Sequence, residues 1–329
     1  MTAREPAGGA PTGAHSSSPS DATTPRRIPA RHWGLILRRV ARHVVTSRLP
    51  LLSAGIAFFA ILSIAPVLVT ALSVYGAVNT PEQATEQLTS VARMLPDQVR
   101  PVVAGQLTTI AAASTRLQTV RGLTALAIAL WTATTAASSL IDALTVAYHE
   151  TETRGFLRRT GLAFSFVLAG ALLLGGVLAA AGFVAKMTAS APGPVRTVVP
   201  WLAWPVLAAL MAGLLAALYR LAPDRKNARW RWTSWGATTA TVLWLATSVA
   251  LFAYVRRLGT YESTYGSLAG VAISMFWLWV TVLLIVTGAA MNAEAERQTA
   301  RDSTVGPERP VGEREAVVAD SVPPYPEDP

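Results

Sequence analysis

This sequence predicts an all-α integral membrane protein: six transmembrane helices with an amphipathic helical loop on the outer face. Three observations carry that prediction. Hydrophobic residues make up 52% of the chain and charged ones only 14%, which is not the balance of an ordinary soluble domain. Six apolar segments, near 51–75, 123–147, 160–184, 198–221, 233–255 and 267–291, are each long enough to cross a hydrocarbon core of ~30 Å at about 1.5 Å per helical residue. The last of them runs from Ser267 to Met291 without a charge.

Residues 1–30 are rich in Ala, Gly, Pro, Ser and Thr and lack apolar periodicity, so they read as a disordered tail rather than a signal peptide. Residues 31–50 read as a basic amphipathic helix: Trp33, Ile36, Leu37, Val40 and Val44 share one face, with Arg38, Arg39 and Arg42 elsewhere. Such a helix either lies on the cytoplasmic leaflet or packs on its own protein. The membrane domain then occupies 51–297. Pro66 in the first span removes a backbone hydrogen bond and predicts a kink, with Ser63 placed to satisfy the freed carbonyl of Leu62. Pro205 predicts a similar bend in the fourth span.

The connection at 76–121 is too long for a plain loop. Thr80-Pro81-Glu82 has the form of a helix start, and Leu88, Val91, Ala92 and Leu95 follow at helical spacing. Pro96 breaks that pattern, and Val99, Val102, Val103, Leu107 and Ile110 begin a second amphipathic stretch. In the last span Gly266, Gly270 and Ser274 form a small-residue stripe that predicts close approach of another helix. Asn292, Glu294 and Glu296 are expected to mark its exit into water. Residues 298–329, Pro-rich and charged, read as a disordered tail.

Most of the 28 Lys and Arg side chains fall in the N-terminal region, 148–160, 220–232 and the C-terminal tail. This bias predicts both termini on the cytoplasmic side of a bacterial inner membrane. Arg256 and Arg257 oppose it. They either snorkel to headgroups or contact an anionic group.

The residues offer little for catalysis, and the reading is of a non-enzyme without cofactor or metal. With no cysteine, thiol nucleophiles, disulfides and Cys-based metal sites are excluded. His15, His32, His43 and His149 form no metal-ligand pattern with carboxylates, and no Gly-rich phosphate loop is present. The net charge of +9 points to membrane lipids as partners rather than nucleic acid. One polar face stands out in the second span, where Thr135, Ser138, Asp142, Thr145 and His149 recur at spacings of three and four. Asp142 either lines a polar cavity or pairs with Arg158 or Arg159 in interhelical packing.

Four stretches give the chain a resemblance to the YihY/BrkB family of bacterial inner-membrane proteins, over about Trp33 to Arg297. They are Phe58-Phe59 with Leu62-Ser63 and Pro66; Trp131 with Ala143, Leu144, Tyr148, Glu152, Arg154 and Phe156; Tyr219-Arg220 with Pro223, Arg225, Trp230, Arg231 and Gly236-Ala237; and Tyr261, Tyr265-Gly266-Ser267-Leu268, Gly270, Trp277, Gly288-Ala289 and Asn292-Ala293-Glu294. Two departures are visible. Ala290 stands where the family usually has a glutamate, for which Glu294 could substitute one turn later, and Trp235 replaces the proline of a Pro-Gly-Ala. The resemblance implies a role in envelope integrity, through transport of a lipid or amphiphile. The alternative is a non-transporting envelope scaffold. Ribonuclease, an old label of the family, is disfavoured.

Overall fold

The computed structural model describes residues 22–78, 115–189, 193–226, 228–257 and 267–321. The chain runs through α1 (Ala30–Thr46), α2 (Leu49–Val78), α3 (Thr115–Ala147), α4 (Phe156–Ala189), α5 (Gly193–Leu221), α6 (Trp230–Arg257), α7 (Ser267–Glu296) and the short α8 (Val317–Asp320). No strand is present among the described residues; Ala228 and Thr304 make an isolated bridge. Helices α2 to α7 are each long and apolar enough to cross a membrane, so all six expected spans are found. Of the amphipathic loop expected at 76–121, residues 76–78 end α2, 115–121 begin α3, and 79–114 lie outside the described residues, as do 1–21 and 322–329.

α1 packs on α7 and α2 and is not a free surface helix. Ile36 and Val40 are buried, and Trp33 meets Trp235 with ring centroids 5.8 Å apart. Ser47 and Arg48 separate α1 from α2, and Arg48 takes a left-handed backbone (φ 54°). Helix α2 continues through Pro66. Ser63 Oγ donates to the carbonyl of Ala60 at 2.6 Å, not to that of Leu62 as expected.

α2 and α3 form the most extensively packed pair, and α7 packs against α6, α2 and α1. α3 also holds α4, and α6 holds α5. The consecutive helices α4 and α5, by contrast, barely touch. Burial is equally lopsided. On α4 to α7 the buried residues are Ala163 near the start of α4, Leu215 onward on α5, Trp232 to Thr241 on α6, and Val282 onward on α7. All of these lie toward one end of the bundle. The described chain ends are at that same end: Thr299 Oγ1 donates to the Ala22 carbonyl at 2.6 Å. It is called the terminal end below. Toward the opposite end Phe183, Trp201 and Phe252 are 65%, 74% and 64% exposed. The bundle is thus closed at its terminal end and loosely joined between α4 and α5.

Three expectations are corrected. Among the described residues the stripe in α7 makes no close crossing: a Cβ on Gly270 would meet no described atom within 4 Å, Ser274 is exposed, and Gly266 lies outside the described residues. The close crossing is between α6 and α7, at Gly236 and Gly288. Second, Asn292, Glu294 and Glu296 do not face water; each is 1% exposed. Third, parts of residues 298–321 are packed rather than loose, with Gln298, Thr299, Asp302 to Thr304, Arg314, Val318 and Ala319 buried, as are Ala22, Pro25 and Ile28. The buried Arg314 holds this C-terminal segment by donating to the carbonyls of Arg309, Ala319 and Ala300 at 3.0, 2.9 and 2.6 Å. Polar groups folded over a helical bundle satisfy one another, so a segment of low hydrophobicity is still ordered here.

Candidate functional site

The polar face of α3 makes contacts with α4, the α5–α6 connection and the end of α7. Asp142 Oδ2 accepts from Arg159 Nη2 on α4 at 2.7 Å, which settles the choice between Arg158 and Arg159. Thr145 Oγ1 receives the Asp224 amide of the α5–α6 connection at 3.4 Å. His149 Nε2 donates to Glu294 Oε1 on α7 at 2.9 Å. Thr145 is buried, while Thr135, Ser138 and Asp142 are half-buried. The threonine hydroxyls need no interhelical partner. Thr135 Oγ1 donates to Trp131 O, and Thr145 Oγ1 to Ile141 O, at 2.8 and 2.9 Å. Such back-bonding hides a hydroxyl inside its own helix.

Asp142 therefore combines both readings of the sequence. It is paired, yet the Asp142 and Arg159 side chains keep 36% and 32% exposure, so the pair stands at a partly accessible seam between α3 and α4. Asp142 Oδ1 and Arg159 Nε are themselves buried and have no hydrogen-bond partner. The contact is single rather than bidentate, leaving unspent polar capacity.

The terminal end carries two further clusters that sequence reasoning missed. The first surrounds Glu294. Besides His149, Arg297 Nη1 approaches Oε1 at 3.2 Å and Arg39 Nε approaches Oε2 at 3.8 Å. His149 ends α3 in a left-handed conformation (φ 59°), rare for a residue with a Cβ, and its bond to Glu294 helps hold it there. His43 of α1 stacks on His149, centroids 3.9 Å apart. The second cluster is the fully buried pair Arg225–Glu296, bidentate at 2.6 and 3.1 Å. Ser303 Oγ also donates to Glu296, and Arg225 lies over the Tyr148 ring at 5.0 Å. Nearby, Asp224 is held by the Thr153 amide and hydroxyl at 2.7 and 2.6 Å. Arg154 bridges Glu152 and the Ala222 carbonyl.

The signal was present but misread. Two glutamates closing the last span look like a solvated helix end. Their partners come from α1, the α3–α4 connection and the α5–α6 connection, far away in sequence. Ala290, where the resemblance expected a glutamate, is fully buried, and Glu294 one turn on carries the charge. The side chains of Arg256 and Arg257, at the close of α6, lie outside the described residues. Among the described residues no group of three or more His, Cys, Asp or Glu is placed to hold a metal ion.

Burial, with the stacked His149 beside it, holds His43 below its ordinary value of 6.5. Its bonds suit the neutral ring: Nε2–H donates to Val146 O at 3.2 Å and Nδ1 accepts from Ser47 Oγ at 3.0 Å. The unfolded chain then takes up a proton at higher pH than the folded one. This contribution to stability is present above the ordinary value and is lost as pH falls through the window below it. Thermal unfolding in detergent is expected to show a loss of stability as pH falls below about 6.5 that is smaller in His43→Gln. An unchanged pH slope in that variant would remove His43 from the account.

The comparisons with known proteins are these. A family model described as virulence factor BrkB matches residues 40–312. The ribonuclease-like protein YfkH of Bacillus subtilis is 30% identical over 171 residues, covering 50% of this chain and 62% of YfkH. A UPF0761 membrane protein of Verminephrobacter eiseniae is 29% identical over 271 residues, covering 79% of this chain and 62% of that protein. One from Chromobacterium violaceum is 25% identical over 264 residues, covering 78% and 60%. The chain thus spans about three fifths of the length of these relatives. No solved structure matches it.

Proposed function

This chain belongs to the BrkB family of membrane proteins, and from that premise we propose that it supports envelope integrity by handling a lipid or other amphiphile, without enzymatic chemistry. The observation that carries the reading is the uneven closure of the bundle. The terminal end is sealed by buried ion pairs and the Gly236–Gly288 crossing, whereas α4 and α5 barely meet. Two consecutive spans that do not close on each other leave a lateral way in for an apolar tail. The polar face of α3, ending in the partly accessible Asp142–Arg159 pair, offers a headgroup somewhere to rest. A scaffold needs no such seam.

In this reading the terminal end faces the cytoplasm, as the arginine bias requires, and the bundle opens toward the outer leaflet of the inner membrane. Single cysteines test it without background, because the chain has none. In right-side-out vesicles an impermeant maleimide is expected to label Met187→Cys, at the opposite end of α4, and to spare Val311→Cys until the vesicles are opened. The reverse pattern would overturn the orientation, and the direction of opening with it.

A further inference from the structure

We propose that the cavity between the start of α6 and the C-terminal segment is a binding site for a phosphate-bearing anion. The cavity measures about 260 Å³ and is lined by Thr23, Arg229, Arg231, Trp232, Arg301 and Asp302, with Glu308 also on its wall. That volume fits a phosphate with part of an attached headgroup.

The three arginines are arranged differently. Arg229 is pinned: Nε donates to Thr304 O at 2.9 Å and Nη2 to Gly306 O at 3.4 Å. Carbonyls position this guanidinium without cancelling its charge. Arg231 and Arg301 are exposed, and among the described residues their guanidinium groups have neither an ion pair nor a hydrogen bond. Asp302 keeps its charge, but its oxygens already accept three hydrogen bonds from elsewhere in the chain. Oδ1 accepts from the Thr304 amide and hydroxyl at 2.9 and 2.8 Å, and Oδ2 accepts from the Arg309 amide at 3.0 Å. Three guanidinium groups face two carboxylates, one of them engaged, and the cavity keeps unsatisfied donor capacity. Planar guanidinium forks match phosphate oxygens in pairs. Trp232, 3% exposed, gives the cavity a rigid wall.

The level of the cavity narrows the source. Arg231 sits in the first turn of a membrane span, whose amino end favours negative charge, and Arg301 follows the end of α7 by five residues. This is where headgroup phosphates lie. Arg38 and Arg158 are also exposed at the terminal end, but they do not line this cavity.

Purified protein would be titrated with short-chain phosphatidylglycerol, with diacylglycerol of the same chain length, and with inorganic phosphate, following thermal stability. Phosphatidylglycerol and not diacylglycerol is expected to stabilise the protein. Arg231→Gln with Arg301→Gln should weaken that binding roughly tenfold or more, since each charge-assisted bond is worth about a factor of ten. Arg38→Gln with Arg158→Gln, the same loss of charge outside the cavity, should leave it unchanged. Stabilisation by phosphatidylglycerol alone assigns the site to a lipid; equal stabilisation by inorganic phosphate assigns it to a soluble phosphate. No stabilisation by either probe, or equal weakening in the two double variants, would overturn the proposal.

Discussion

Adding one methyl group at Gly236 is expected to deprive the protein of its fold in detergent. A Cβ there would collide with the backbone carbonyl of Gly288 and come within 2.6 Å of Asn292 Cγ. Neither can yield cheaply. The Gly288 carbonyl belongs to a helix backbone, and Asn292 is locked on both sides: Oδ1 accepts the Gly236 amide at 2.6 Å, and Nδ2 donates to Thr233 O at 3.0 Å. On the other flank Tyr219, 1% exposed, donates its hydroxyl to Ile285 O at 2.7 Å and blocks a retreat of α7 toward α5. Overpacking a tight site costs about 1–3 kcal/mol, and this site adds the loss of two buried hydrogen bonds at about 1 kcal/mol each. Gly236→Ala should therefore give little monodisperse protein on size exclusion. Gly270→Leu should behave as wild type, since no described atom lies within 4 Å of a Cβ there. Normal yield and melting temperature for Gly236→Ala would mean that the crossing is looser than described.

Glu296→Ala should be nearly as harmful, for an electrostatic reason. It leaves Arg225, 2% exposed, charged and without its carboxylate, and breaking a buried pair in this way costs about 3–5 kcal/mol. A guanidinium does not lose its proton inside a protein, so the arginine cannot escape by becoming neutral. Arg225→Met combined with Glu296→Leu removes both charges and keeps the volume, and should recover much of the lost stability. The double-mutant cycle on melting temperature then yields a large coupling. Additive losses would show that the two side chains do not act as a pair in solution.

The six spans were legible because each is an apolar run that states its own length, and Asp142 was legible because a charge inside such a run stands out. The terminal end was not. Tyr219, Gly236 and Asn292 belong to the motifs that carry the family resemblance, but no local pattern encodes the crossing that brings them together. The stripe at Gly266, Gly270 and Ser274 had the form of a packing motif, but among the described residues it makes no close crossing. Spacing shows that residues share a face, not which face meets a neighbour. Glu294 and Glu296 sit beside water in sequence and away from it in the fold, because α1, two connections and the C-terminal segment cover them. The C-terminal segment misled through composition: its order rests on polar bonds such as those of Arg314, which hydrophobic patterning does not register.

The central claim is that a bundle sealed at its terminal end and loosely joined between α4 and α5 handles an amphiphile, with the Asp142–Arg159 pair between α3 and α4 as its polar contact. Its most direct test is reconstitution into liposomes carrying a fluorescent phospholipid in one leaflet, with redistribution to the other read by quenching. The account predicts faster redistribution than in protein-free liposomes, and a marked slowing by Asp142→Asn in protein that inserts and melts as wild type. Redistribution no faster than in protein-free liposomes, or an Asn variant as active as wild type, would contradict it and leave the envelope scaffold as the better description.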